Sequence, residues 1–226
     1  MHRSHTLAIL LTGLLQGMGL AAEPFPPAKE LLASVRLQNA QQEIDLQGQL
    51  RENQTVIPFH LVQTGPVLRY TFSNPDEALQ LRLEENDSRL EEVTRSGVEK
   101  VAPAQFDKKV RGTAITYEDL ALKFLYWSQA RVVAEESVRT RSCWKVHLQA
   151  PSRQSQYSNV MLWLEKESGA LMRMDGYDWN GRLFKRFEVV SAQKIEGRWF
   201  FKQMRIEELS PGTNKVRSRT YLEIKK

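Results

Sequence analysis

The chain has 226 residues and a mass of 26.1 kDa; 41% of the residues are hydrophobic and 26% are charged. This balance is typical of a globular protein and excludes a disordered one. A single cysteine, Cys143, excludes an internal disulfide framework, a zinc ribbon and a Cys-x-x-Cys redox site. The net charge is +5, but residues 23–100 have 8 basic and 13 acidic side chains, whereas residues 101–226 have 23 and 14. The basic second half favours binding to anionic lipid head groups or acidic proteins. The alternative is that its charges lie on a solvated sheet face.

The first 22 residues have the three parts of a secretory signal peptide. A short basic start precedes the apolar run 6–15, and small residues end at Ala22. A membrane anchor needs about 20 apolar residues, and Gln16 and three glycines interrupt the run here, so cleavage after Ala21 or Ala22 is predicted. We therefore predict a periplasmic protein with a single domain over residues 23–226. An exported protein is not expected to bind nucleic acid.

The first half of the mature chain predicts one helix followed by strands. Leu31, Leu32 and Val35 are spaced as on one face of a helix over Ala28–Leu37. Strand-like runs separated by turn signals then occupy Glu43–Arg51, Val56–Gln63, Val67–Ser73, Leu79–Glu84 and Arg89–Thr94. The segment Ala102–Thr116 breaks this rhythm. Thr116 can cap a second helix, predicted over Tyr117–Trp127.

The second half predicts a continuous series of antiparallel strands. Trp179-Asn180-Gly181 is the strongest hairpin signal in the chain. Strands are predicted at Ala130–Arg139, Cys143–Ala150, Ser158–Glu165, Ala170–Asp178, Arg182–Val190, Trp199–Leu209 and Val216–Ile224. No parallel βαβ rhythm is evident, and an open sheet of ten or more strands usually curls. The predicted fold is mainly β, one curved and mostly antiparallel sheet with two short helices.

The sequence predicts no catalytic residues, no metal site and no cofactor. Cys143 and His147 share a strand face, but roughly 13 Å separates them, because a strand rises about 3.3 Å per residue. Asp175, Asp178 and Glu188 lie beside the Asn-Gly hairpin and could form an acid/base pair. Acidic residues beside a turn are more often solvated, so an unrecognised hydrolase is a remote alternative.

Large apolar side chains recur at alternating positions of the later strands. They include methionines, which are pliable enough to accept acyl chains. The simplest interpretation is an ordinary core. A curved sheet under only two short helices can also leave an apolar cavity, as barrels and half-barrels of this size often do.

Three segments resemble the LolA-like family of outer-membrane lipoprotein-sorting proteins. They are Val110–Leu120, Cys143–Pro151 and Leu162–Arg182, followed by Lys185, Phe187 and Gly197-Arg198-Trp199. The resemblance implies an open half-barrel whose concave face is covered by helices. It also implies a periplasmic carrier that shields lipoprotein acyl chains or lipid in an apolar cavity and sorts them toward the outer membrane. The segment Ala102–Thr116 has no counterpart in the best-studied carriers.

The resemblance also implies the residues that would line this cavity. From the helix above, they are Leu120, Phe124 and Trp127; from the sheet below, they are Trp144, Leu148, Leu162, Met172, Met174 and Phe187. The expected partners are acyl chains or lipid, together with membrane-bound export or acceptor proteins, and a monomer is favoured. The alternative is a periplasmic sensor or adaptor of the same fold that binds a protein in envelope-stress signalling.

Overall fold

The computed structural model describes residues 25–40, 43–195 and 197–225, so the predicted signal peptide lies outside the described residues. Two α-helices, α1 (Ala28–Ala40) and α2 (Tyr117–Ala121), accompany thirteen strands. The strands are β1 (Glu43–Glu52), β2 (Thr55–Thr64), β3 (Val67–Phe72), β4 (Glu77–Leu83), β5 (Ser88–Thr94), β6 (Gly97–Lys100), β7 (Gln129–Val138), β8 (Arg141–Gln149), β9 (Asn159–Glu165), β10 (Leu171–Tyr177), β11 (Leu183–Ile195), β12 (Arg198–Leu209) and β13 (Val216–Lys225).

All thirteen strands belong to one open antiparallel sheet. Their order is β6-β5-β4-β3-β2-β1-β13-β12-β11-β10-β9-β8-β7, so the first six strands form one half of the sheet and the last seven form the other. Residues 43–100 have 6 basic and 11 acidic side chains, whereas residues 129–225 have 18 and 11. The charge asymmetry of the sequence is therefore also an asymmetry between the two halves of the sheet.

Most predicted strands agree with the structure to within two residues. The short edge strand β6 was not predicted, and β11 continues five residues beyond its predicted end. The prediction of one helix over Tyr117–Trp127 is wrong. Leu122 has a left-handed backbone with φ of 51°, which ends α2 and separates it from a 3₁₀ helix over Lys123–Tyr126.

The segment that interrupts the strands packs on the first half of the sheet. It contains two 3₁₀ helices, Pro103–Gln105 and Val110–Gly112. Val110, Ala114 and Ile115 are buried in a cluster with apolar residues of β1–β5, β12 and β13, which we call the first cluster. Arg111 fixes the segment from outside by donating to the backbone oxygens of Ser73, Asn74 and Pro75.

A second cluster lies on the same face of the other half. It joins α1 and the 3₁₀ helix after α2 to apolar residues of β8, β9 and β10. Leu122 and Phe187 contact both clusters. A small third cluster, built on Val138, Cys143 and Trp163, lies on the opposite face of β7–β9.

Two glycines allow aromatic rings to lie flat against the sheet. A Cβ atom on Gly48 would lie 2.3 Å from the ring of Phe59, and one on Gly176 would lie 2.3 Å from the ring of Tyr157. A side chain at either position would displace the ring, which explains why a residue that weakens strands is found there. No helix of the described residues is long and apolar enough to cross a membrane.

Candidate functional site

The apolar residues predicted to line a cavity from the sheet lie next to one another on one face. Leu162 is paired with Val146 on one side and with Met174 on the other, and Leu148 is paired with Val160. Because paired residues of antiparallel strands point to the same face, these side chains form a continuous apolar surface. Leu148, Leu162 and Met174 are all buried.

Leu32 and Val35 of helix α1 are buried in the second cluster together with these side chains. Arg36 ties the helix to the 3₁₀ segment, since its Nη1 donates to the backbone oxygen of Leu125 at 2.6 Å and its guanidinium lies 5.1 Å from the ring centre of Tyr126. We call the contact between α1, the 3₁₀ segment and the sheet the α1 seam. It is formed by Leu32, Val35, Phe124, Trp127, Leu148, Leu162 and Met174.

The three residues predicted on the upper helix are divided between the two clusters. Phe124 and Trp127 are buried in the α1 seam, whereas Leu120 is half-buried and packs against the first cluster. The left-handed residue Leu122 causes this division, because it turns the chain between Leu120 and Phe124. A regular helix would have kept all three on one face.

Trp144 and Phe187 lie at the margins of the same face. Trp144 is half-buried. Its ring centre lies 6.1 Å from that of Phe25 and 3.7 Å from Lys166 Nζ. Phe187 pairs with Met174 and contacts both clusters. The sheet face predicted for these two residues therefore agrees with their position.

Met172 does not share this face. The pairing of β10 with β9 shifts between Leu171 and Arg173, so Met172 is the extra residue of a bulge. Its side chain packs in the third cluster, with Cys143 and Trp163. The expectation that Met172 lies beside Met174 is wrong, because alternation fails wherever a bulge adds a residue.

The described side chains fill the α1 seam. Leu148 and Leu162 have no exposed surface, and Phe124 retains 2%. An acyl chain that entered between the sheet and its helical neighbours would therefore have to take the place of α1 or of the 3₁₀ segment. Trp144 and Phe187, at the margin, stay half-buried.

A buried polar network fixes α2 to the same face of the sheet. Lys185 and Asp119 form an ion pair at 2.8 Å, and both side chains are 1% exposed. Asp119 also accepts hydrogen bonds from the backbone NH of Thr116, at 2.7 Å, and from the hydroxyl of Tyr157. Burial, followed by the neighbouring negative charge of Asp119, holds the pKa of Tyr157 well above its ordinary value, so its hydroxyl stays a donor. Sequence reasoning missed this network, although a lysine at an inward strand position between Leu183 and Phe187 was a signal for it.

Glu118 ties α2 to the loop before β9. Its carboxylate accepts from the hydroxyl of Ser155 and from the backbone NH of Gln156, at 2.9 Å. Burial raises the pKa of Glu118, and these two donors oppose the shift. The Thr116–Asp119 start of α2 thus has both of its acidic residues engaged in holding the segment in place.

The carboxylates beside the Asn-Gly hairpin are engaged in structural contacts. Asp175 accepts two hydrogen bonds each from Arg173 and Arg186. Burial raises the pKa of Asp175, but the two arginines outweigh it and lower the pKa below its ordinary value. Asp178 accepts from the backbone NH groups of Asn180 and Arg182, both at 2.9 Å, and so closes the turn. A carboxylate held ionised between two guanidiniums is a poor general acid.

The described residues contain no group of three or more His, Cys, Asp or Glu side chains that could hold a metal ion. His147 Nε2 lies 3.2 Å from Asn159 Oδ1, and Cys143 is buried in the third cluster. Burial raises the pKa of the Cys143 thiol, which favours the unreactive protonated form.

A family model described as "Uncharacterized protein" matches residues 94–226, which is more than half of the chain. A comparison with curated proteins gave no match. Solved structures share the fold at low sequence identity.

A DUF1329 family protein from Desulfovibrio piger is 18% identical, with a TM-score of 0.65 over 89% of this chain and 92% of that one. An outer-membrane lipoprotein-sorting protein domain from Vibrio parahaemolyticus is 13% identical, with a TM-score of 0.65 over 88% and 90%. A LolA superfamily protein from Nitrosomonas europaea is 13% identical, with a TM-score of 0.62 over 89% and 93%. The resemblance to LolA-like proteins is confirmed, and at these identities it establishes the fold.

Proposed function

The chain belongs to the family whose model matches residues 94–226, and on the basis of its LolA-like fold we propose that it is a non-enzymatic carrier of acyl chains. It acts in the periplasm after removal of residues 1–22, and it transfers lipid or lipoprotein acyl chains toward the outer membrane. The sheet is a half-barrel, and α1 with the segment 101–127 covers its concave face.

The observation that supports this proposal most strongly is the α1 seam. The apolar sheet face is covered there by α1 and the 3₁₀ segment, neither of which belongs to the sheet. Displacing α1 exposes mainly Leu32 and Val35 and costs about 3–6 kcal/mol, at about 1.5–3 kcal/mol for each large apolar side chain. An acyl chain of a dozen or more carbons gains on the order of 10 kcal/mol on leaving water, at about 0.8 kcal/mol per methylene. Before the ordering costs of binding, the gain is larger than this cost, which supports replacement of the helix by an acyl chain.

The same free-energy balance between helix and acyl chain allows the acyl chain to be released. When the acyl chain leaves for an acceptor, α1 returns to the seam and covers the apolar face again. The unloaded protein is therefore soluble without a permanently empty cavity. The half-buried rings of Trp144 and Phe187 mark the margin at which a chain would first enter.

We expect protein purified from the periplasmic fraction to bind a fluorescent fatty acid with saturable affinity. Phe124→Ala should change that affinity several-fold, because Phe124 lies in the α1 seam. Phe72→Ala is the matched control, since Phe72 is equally buried but belongs to the first cluster. Urea unfolding of both variants separates loss of binding from loss of fold.

A folded wild-type protein that neither binds the probe nor co-purifies with lipid would contradict the proposal. Equal effects of the two substitutions would also contradict it, because they would assign both phenylalanines to an ordinary core. A stable protein partner recovered in the absence of lipid binding would favour the adaptor alternative.

A further inference from the structure

The hairpin formed by β11 and β12 extends beyond the strands on either side of it. These two strands pair as far as Ile195 and Arg198. The pairing of β10 with β11 reaches only to Glu188, and that of β13 with β12 reaches only to Gln203. The four outer pairs, from Ala192–Phe201 to Ile195–Arg198, thus form a ribbon without a neighbouring strand among the described residues. At about 3.3 Å per residue, this ribbon projects roughly 13 Å.

The ribbon, residues 192–195 and 197–202, bends at its base and packs on the rest of the protein. The β11–β12 register shifts twice, between Val189 and Ser191 and again between Ser191 and Ala192, and such irregularities bend a strand pair. Phe201, in the innermost pair of the ribbon, and Ile195, in the outermost pair, both pack against the first cluster, so the ribbon is held against the protein along its length. The outer side chains of the ribbon are exposed because no described strand lies beside it.

Trp199 lies near the tip of the ribbon and is 67% exposed, more than any other large hydrophobic side chain described. An exposed tryptophan is costly in water but suits a membrane surface, where the ring meets acyl chains and its NH meets head groups. Trp127 and Trp163, by contrast, are buried.

The ribbon has unpaired positive charge both beside Trp199 and at its base. Lys194 lies opposite Trp199, and Lys202 and Lys225 line an open groove of about 890 Å³ at the base of the ribbon. None of these exposed lysines forms an ion pair with a described residue, whereas six other lysines do. The carboxylate that lines the groove, Glu223, already accepts from Gln49, Arg51 and Gln203.

From this combination of an exposed tryptophan and unpaired lysines on the ribbon and at its base, we infer that residues 192–195 and 197–202 dock the protein on an anionic lipid bilayer. Trp199 enters the boundary between head groups and acyl chains, and the lysines bind the anionic head groups. A specific protein interface needs about 800 Å² on each partner, which one exposed aromatic ring does not supply. A bilayer needs only that ring and the charges around it. The inference does not require the α1 seam to bind acyl chains.

The test is co-sedimentation of protein from the periplasmic fraction with sucrose-loaded vesicles of phosphatidylcholine alone or mixed with phosphatidylglycerol. We expect binding to the mixed vesicles that weakens as salt is added. Trp199→Ser should weaken it several-fold. Lys194→Gln and Lys202→Gln should each weaken it roughly fivefold, the fold-change that corresponds to about 1 kcal/mol per lysine.

Val216→Ser and Lys215→Gln are the matched controls. Like the test variants, they remove an exposed apolar residue and an unpaired lysine. Both residues lie where β13 begins, beside the far end of β12 and roughly 33 Å from Trp199. Wild-type protein that fails to bind the mixed vesicles would overturn the inference. Three other results would also overturn it. They are unchanged vesicle binding by Trp199→Ser, an equal loss of vesicle binding in the two control variants, and a Trp199 variant that loses binding to a protein partner but not to vesicles. Fatty-acid probe binding, measured in parallel, reports on the carrier proposal separately, since Trp199→Ser should leave it unchanged.

Discussion

Lys185 occupies a position where strand alternation places an apolar side chain. Its ammonium group is buried beside the carboxylate of Asp119, which also accepts from Thr116 and Tyr157. A buried pair of this kind adds little net stability over an apolar pair, but removing one partner leaves an uncompensated charge. Its structural effect is to fix where α2 meets β11.

We predict that Asp119→Asn destabilises the protein by about 3–5 kcal/mol, because Lys185 would keep a buried charge without its partner. The double variant Asp119→Asn with Lys185→Met should recover part of this loss. Urea unfolding monitored by circular dichroism measures both. Asp45→Asn, which alters a largely exposed carboxylate paired with His60, should cost less than about 1 kcal/mol. A similar small cost for Asp119→Asn would show that the network is not needed for stability.

At the candidate site, the sequence-based predictions succeeded or failed at single residues. Alternation correctly placed Leu148, Leu162 and Met174 on one face, because regular pairing preserves it. It failed at Met172, since a bulge leaves no trace in the hydrophobic pattern. The left-handed backbone of Leu122 was equally hidden, because leucine is an ordinary helix residue.

At the scale of elements, strands were more predictable than helices. Alternation and turn residues specify a strand locally, and nearly all strands of the sheet follow from them. The edge strand β6 is four residues long and fully exposed, so it has no apolar alternation to detect. The segment 101–116 was recognised as irregular, but its packing on the first cluster depends on contacts with distant strands.

The outer face of β10–β13 is crossed by a row of ion pairs. Arg173 and Arg186 contact Asp175, while Arg205 and Arg219 contact Glu207. Asp175 is buried, yet its pKa lies below its ordinary value because the two arginines outweigh the effect of burial. A carboxyl group whose pKa is lower in the folded state stabilises the fold above its unfolded pKa, and this contribution is lost as pH falls through the folded pKa.

We therefore predict that Asp175→Asn lowers the free energy of unfolding by about 1–3 kcal/mol at pH 7, since hydrogen bonds to a charged group are lost. The difference from wild type should begin to shrink below about pH 4, where the carboxyl of the unfolded wild-type chain becomes protonated, and should be lost as pH falls through the lower pKa of the folded state. Urea midpoints measured between pH 7 and pH 2.5 test this. Glu167→Gln, at a highly exposed position, should match wild type throughout. A constant difference at every pH would refute the assigned cause.

At the scale of the whole molecule, one sheet connects two apolar clusters. The first cluster belongs to β1–β5, β12 and β13, and the second belongs to α1 and β8–β10. Phe187 of β11 contacts both, as does Leu122. Cooperative unfolding of the two halves depends on these shared residues together with the continuous strand pairing.

We predict that Phe187→Ala increases amide hydrogen exchange in both β4 and β9, and destabilises the protein by about 2–3 kcal/mol. Phe106→Ala is the control, because Phe106 is also half-buried but packs only on the first cluster. It should increase exchange in β4 and leave β9 unchanged. If Phe187→Ala affected only one of the two strands, the clusters would be independent.

The strand order has a consequence for biogenesis. β1 pairs with β13, and this pairing is the only strand contact that joins the two halves of the sheet among the described residues. Gln47 lies opposite Lys225, so the central ladder cannot close until almost the last described residue has become available. Contacts so distant in sequence form slowly, because a long loop must close first. A polypeptide threaded through a translocation channel from its N-terminus would therefore stay incompletely folded until its final strand emerged, which keeps it compatible with passage in an extended form.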